Sequence, residues 1–223
     1  MTKLFMVSLG AGDANLVTIQ ALDILKNSDV ICIPTKSKDN SFGKSVTHNI
    51  VQTLFKQFNF DVKIIPVYTP MKFKQHDWQN QVDILTNATK TYNKVSFVTL
   101  GDASVYSTVY YLLDIIKEQN LSLWEQSEVC AGITSFSNAS AKIKRPLCIG
   151  NSAFRIVPLI DQEIKQTTVY MRPKKGFDSS AIQEVGDIYT FENLNFDGEN
   201  ITDGKKKIVE KYMTLFIDFF KKD

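Results

Sequence analysis

Three short stretches of this chain combine glycine with a carboxylate or a hydroxyl: LGAGDANLVTIQAL (residues 9–22), LGDASVYST (100–108) and AGITSFS (131–137). Glycine lets a backbone approach a ligand closely, because no Cβ stands in the way. Asp13 and Asp102 suit an ammonium group or a ribose hydroxyl. Thr134 and Ser135 offer hydroxyls that could contact a ligand or cap the next helix. Each stretch follows an apolar run that reads as a strand. In a parallel sheet all three turns fall at the carboxyl edge, where open α/β sheets bind ligands. Their combination implies a small polar ligand.

Several other chemistries are excluded. The dinucleotide fingerprint needs a third glycine and an acid at the end of the second strand. Here Asn15 holds the third position, and the second strand ends Ile33-Pro34-Thr35. The glycine-lysine loop that cradles phosphates is missing. Two histidines rule out a multi-histidine metal site, and no metal is expected. The three cysteines, Cys32, Cys130 and Cys148, form no CxxC pair and fit reduced thiols of a cytoplasmic protein. A net charge of +2 gives no basic field, so no nucleic-acid partner is expected. The first apolar run is too short for a signal peptide, and no run is long enough to span a membrane.

The elements that position these turns alternate. Leu4–Leu9, Asp29–Ile33 (stopped by Pro34), Val62–Val67, Lys94–Leu100 and Glu128–Ala131 read as strands. Leu16–Lys26, Gly43–Phe58, Trp78–Thr89, Tyr106–Lys117 and Thr134–Lys142 read as helices, the first capped by Asp13 or Asn15. This pattern predicts a mostly parallel sheet with crossover helices. Strands are then expected at Phe154–Pro158, Thr167–Met171, Asp187–Phe191 and Met213–Phe220, with a polar surface loop over Asn193–Lys207. The expected fold is therefore α/β in two domains: residues 1–131 with the glycine-rich turns, and a smaller α/β domain over 132–223.

These residues resemble the tetrapyrrole methylase family, methyltransferases that are built from two α/β domains with a ligand cleft between them and lack a Rossmann fold. SLGAGDANLVTIQA is similar to the family pattern G-x-G-P-G-D-P-x-x-L-T-x-x-A. GDASVYST resembles G-D-P-x-x-Y-S-T, and AGITSFS resembles P-G-I-T-S-F. IPTKSKDNSFGKSV, TPMKFKQHDW and TLGDASVYSTVYYL point to the branch that methylates precorrin-2, or its cobalt form, at C(20) in cobalamin biosynthesis. The likeness spans most of residues 4–172 and fades afterwards.

The resemblance implies S-adenosyl-L-methionine as cofactor and S-adenosyl-L-homocysteine as product. It places Ala11, Gly12, Leu100, Gly101, Asp102, Val105, Thr134, Ser135 and Met171 at the cofactor, with Leu194 near a further contact. Met171 is a polarizable wall beside adenine or a plain core residue. Asp13 and Tyr106 are the catalytic candidates, although Asp13 also suits helix capping and Tyr106 could pack beneath the site. The implied substrate is a polycarboxylate macrocycle, which calls for cations. Lys36, Lys38, Lys44, Arg145 and Arg172 are assigned to it, with Lys142, Lys144, Lys174 and Lys175 nearby. Each lysine or arginine cluster also reads as ordinary solvated charge.

The family's habit implies a homodimer, with Phe55, Phe58, Phe60, Tyr110 and Tyr111 as contact or core residues. Ala11, Ala14, Ala103 and Ala131 stand where the family commonly has proline. Proline fixes φ and cuts unfolded-state entropy, so these alanines predict weaker cofactor binding. They also leave open a decayed binding module, beside a methyltransferase of another branch with a different substrate.

Overall fold

The computed structural model describes residues 2–39, 41–43, 45–70, 74–150, 152–157, 166–171, 173–193 and 196–220. It divides into two compact units, Met1–Phe154 and Arg155–Asp223.

The first unit is built on an all-parallel five-stranded sheet of β1 (Lys3–Ser8), β2 (Val30–Thr35), β3 (Lys63–Tyr68), β4 (Lys94–Thr99) and β5 (Ser127–Cys130), in the order β3-β2-β4-β1-β5. Its helices are α1 (Ile19–Lys26), α2 (Val46–Phe58), α3 (Gln75–Thr91), α4 (Val109–Gln119), α5 (Leu121–Glu125) and α6 (Ser135–Ile143). Period-two alternation sends Leu4, Met6, Val30, Cys32, Val95 and Phe97 to one face, against Val82 and Leu85 of α3 and Leu112 and Ile116 of α4. Val7, Leu9, Ile31, Ile33 and Val98 fill the other face, against Ala21 and Leu25 of α1 and Ile50, Val51 and Leu54 of α2. Both faces are covered, which is why these strands read as nearly continuous apolar runs.

Five expectations need correction. The first helix is broken in two: Asp13 caps a short 3-10 turn, Ala14–Leu16, and Thr18 caps α1 by accepting the Ala21 N–H at 3.1 Å. Pro34 does not stop the second strand. β2 runs through it to Thr35, because β4 pairs only with Val30–Cys32 and the β3 side continues the ladder. Helix α5, capped by Asn120, lies where none was expected. The polar segment expected as a loop contains a strand, β8 (Asn200–Asp203). Residues 152–157 hold no regular element, and Pro158, the end of that expected strand, lies outside the described residues.

In the second unit, β6 (Thr168–Met171), β7 (Asp187–Glu192), β8 and β9 (Thr214–Phe219) form an antiparallel sheet, β6-β9-β7-β8. A small core of Ile182, Ile188, Val209 and Phe216 packs on it. Buried carboxylates tie its ends. Asp218 accepts the Val185 and Gly186 N–H groups, both at 2.8 Å. Glu192, 1% exposed, accepts from Lys206 at 3.2 Å and from Asn200 at 3.2 Å.

Candidate functional site

The sheet register brings the three glycine turns to one rim. Ser8 is level with Thr99, and Val7 with Cys130, so β1, β4 and β5 end together. Beyond the sheet, Leu9 N–H donates to the Thr99 carbonyl at 2.9 Å. Gly10 and Gly101 then exchange two backbone bonds, at 3.1 and 2.8 Å. The third turn is packed against this pair. A Cβ on Gly132 would stand 2.5 Å from Ser8 Cβ and 2.7 Å from the Gly101 carbonyl oxygen. Glycine is required there by close approach.

Each turn is held by its own polar group. Asp13 Oδ1 accepts from the Asn15 N–H at 2.9 Å and from its side-chain amide at 3.0 Å, so the capping role is the one its contacts show. Asp102 Oδ1 accepts from both the N–H and the hydroxyl of Ser104, at 2.9 Å each. Its second carboxylate oxygen meets no donor among the described residues. Thr134 caps α6 by accepting the Ser137 N–H at 3.3 Å, and Ser135 is exposed on the first turn of that helix. Gly12 and Gly101 have φ of +97° and +78°, and a Cβ on either would meet nothing within 4 Å. The Cα face of each is therefore open.

Ala11 and Val105 are half-buried in these turns, and Leu100 is exposed. Tyr106 is 69% exposed with φ of +50°, an uncommon backbone for a bulky residue. A shallow hollow of about 330 Å³ beside the first turn is lined by Gly12, Asp13, Ala14, Asn15, Val46 and Asn49, among others.

Burial is the larger cause of the pKa shifts at the rim, with Asp102 a smaller one. Burial raises the Tyr110 hydroxyl pKa, and the Asp102 charge raises it further. Burial also raises the Cys130 thiol; a Thr18 contact opposes this and Asp102 adds to it.

The other predicted residues lie apart from these turns in sequence. Lys36 and Lys38 are exposed on the loop after β2, whose base is fixed by Thr35 donating to the Ser41 carbonyl at 2.5 Å. Arg145 is exposed just after α6. Met171 ends β6 in the second unit, is 69% exposed, and lines a hollow of about 720 Å³ with Tyr170, Lys174, Lys175, Phe177 and Phe216. Lys44, Arg172 and Leu194 lie outside the described residues. The sequence reading gave Ser8 no role, and it placed Gly10 and Gly132 only as turn glycines and Tyr110 only as a contact or core residue. Ser8 carried a signal: it is a polar residue inside an apolar strand, and it is fully buried.

The parallel sheet, ordered β3-β2-β4-β1-β5, and its glycine rim define an α/β domain distinct from the dinucleotide fold. The chain belongs to the tetrapyrrole (corrin/porphyrin) methylases, a family of methyltransferases, whose model matches residues 3–186. It is 25% identical over 211 residues to a Methanocaldococcus jannaschii protein named "Probable cobalt-precorrin-2 C(20)-methyltransferase", covering 91% of this chain and 87% of that one. It is 30% identical over 156 residues to the cobalt-precorrin-2 C(20)-methyltransferase of Salmonella typhimurium, covering 70% of this chain and 62% of that protein. Among solved structures, a cobalt precorrin-4 methyltransferase, CbiF, aligns with a TM-score of 0.52 at 16% identity, over 97% of this chain and 94% of that one. A cobalamin-synthesis-related protein, CobF, of Corynebacterium diphtheriae aligns with a TM-score of 0.52 at 13% identity, over 97% of this chain and 98% of that one. These two likenesses speak to the fold. Among the described residues no helix is long and apolar enough to cross a membrane.

Proposed function

We propose that the protein transfers a methyl group from S-adenosyl-L-methionine to C(20) of precorrin-2 or its cobalt form, in cobalamin biosynthesis. The observation that carries the cofactor assignment is the contact of three glycine turns at one rim, with the Cα faces of Gly12 and Gly101 open. The names of the two relatives carry the substrate.

The rim fits an amino-acid zwitterion. The free oxygen of Asp102 can accept an ammonium group, and the open Cα face of Gly101, whose N–H and carbonyl are bonded to Gly10, lets the cofactor approach closely. Thr134 and Ser135 supply hydroxyls, Ala11 and Val105 supply walls, and Met171 is assigned to the adenine. When bound, the cofactor supplies an electrophilic methyl group on a sulfonium. The chain's residues have to align that group with a nucleophilic carbon and exclude water. Asp13 serves the turn, and the exposed Tyr106 is our candidate for touching substrate. Lys36, Lys38 and Arg145 are the cations this reading assigns to the substrate's carboxylates. The enzyme acts in the cytoplasm as a homodimer and needs no metal.

Titration calorimetry with S-adenosylhomocysteine, followed by mass spectrometry of precorrin-2 incubated with enzyme and cofactor, tests the assignment. Saturable binding and gain of one methyl group are expected. Binding without methyl gain points to a decayed module, and methyl gain on another tetrapyrrole points to a different branch.

A further inference from the structure

We propose that Ser8 is the positioning residue of the rim: its hydroxyl fixes the Asp102 turn to the end of β1, the role a proline would otherwise play. The inference rests on the reading that the cofactor is held at this rim. Ala103 N–H donates to Ser8 Oγ at 3.0 Å. Both residues are buried, at 0% and 1% exposure. A buried N–H is costly unless paired, and here the Ser8 oxygen accepts it. The bond joins residues 95 apart in sequence and lies one residue from Asp102.

Ser8 also touches the third turn. Its Cβ lies where a side chain at Gly132 would need to be. One residue thus sets the distance of both the 100–108 and 131–137 turns from β1. A buried serine pair, Ser28 and Ser96, bonds at 2.6 Å further toward the amino end of β4, where Ser96 is level with Phe5 and not with Ser8. Burying a serine in this sheet therefore does not by itself create a rim lock.

The arrangement reverses the expectation drawn from the alanines. Proline has no N–H, so Ala103→Pro deletes the donor and sets its ring against the Ser8 hydroxyl. Proline at 103 therefore weakens the site while Ser8 is present. It restores the site once that hydroxyl is gone, because the fixed φ then replaces the bond.

The experiment combines amide hydrogen exchange with S-adenosylhomocysteine titration for wild type, Ser8→Ala, Ala103→Pro and the double variant. In wild type without cofactor, slow exchange at the Ala103 amide is expected, and Ser8→Ala makes it fast. The net worth of one such bond corresponds to a rise of about tenfold in the dissociation constant for Ser8→Ala. Ala103→Pro is expected to lose at least as much. The double variant should return to within about twofold of wild type. A purely structural role would lower Tm and leave affinity unchanged, so that result overturns the proposal. So do losses that add in the double variant, and a fast-exchanging Ala103 amide in wild type. If wild type takes up no S-adenosylhomocysteine, the cofactor reading fails, while the amide exchange still decides the Ser8–Ala103 bond.

Discussion

Adding a single methyl group at Gly132 gives the clearest quantitative test of how tightly the rim is packed. Its φ lies outside the left-handed region, so Gly132→Ala carries no backbone penalty and the cost is steric. The new carbon would sit 2.5 Å from Ser8 Cβ and 2.7 Å from the Gly101 carbonyl oxygen. Neither can retreat freely: Ser8 belongs to β1 between β4 and β5, and Gly101 is held to Gly10 by two backbone bonds. Overpacking of this kind costs about 2 kcal/mol. For a chain of this size that lowers Tm by roughly 4–8 °C. Gly12→Ala is the control. Its Cβ points into open space and its cost is the left-handed φ of +97°, about 1 kcal/mol. If that space receives the cofactor, Gly12→Ala loses more affinity than stability. Thermal unfolding and S-adenosylhomocysteine titration read both quantities. A Gly132→Ala protein whose Tm stays within about 1 °C of wild type refutes the packing argument. Unchanged affinity in Gly12→Ala refutes the placement of ligand against the first turn.

Three further outcomes follow from the same geometry. Asp102→Asn should weaken cofactor binding and lower the Tyr110 pKa, since the Asp102 charge is one of the two causes raising it; ultraviolet titration of the tyrosines reads the shift. Glu192 is held below its ordinary pKa: burial pushes it up, but the Asn200 and Lys206 contacts prevail. Its stabilising contribution is thus full above the ordinary carboxylate value and is lost as pH falls through the lowered one. Glu192→Gln should destabilise the protein at neutral pH and flatten the acid limb of its Tm-against-pH curve; an unchanged limb contradicts this. Neutralising Lys36, Lys38 and Lys44 together should raise KM for the tetrapyrrole and spare S-adenosylhomocysteine affinity, and equal losses in both would remove the loop from the substrate.

The three turns were legible because glycine, carboxylate and hydroxyl recur after apolar runs, and a parallel sheet has one carboxyl edge. Their mutual contact was not, because it depends on register: Ser8 level with Thr99, and Val7 with Cys130. Pro34 misled because a rule about strand interiors was applied where the pairing with β4 had already ended at Cys32. β8 was missed because an edge strand with three of its four residues exposed shows no apolar alternation. Helix α5 is only five residues long, too short for a periodic signal, and only its Asn120 cap announces it. The Ser8–Ala103 bond was beyond reach because it pairs a side chain with an amide from a distant turn.

The most direct test of the central claim is hydrogen exchange across the whole chain with and without S-adenosylhomocysteine. Added protection is expected together in residues 9–15, 100–108 and 131–137, the segments joined by the Gly10–Gly101 pair and the Gly132 contact. Protection confined to one of these turns, or falling wholly elsewhere, would contradict a cofactor site built from all three.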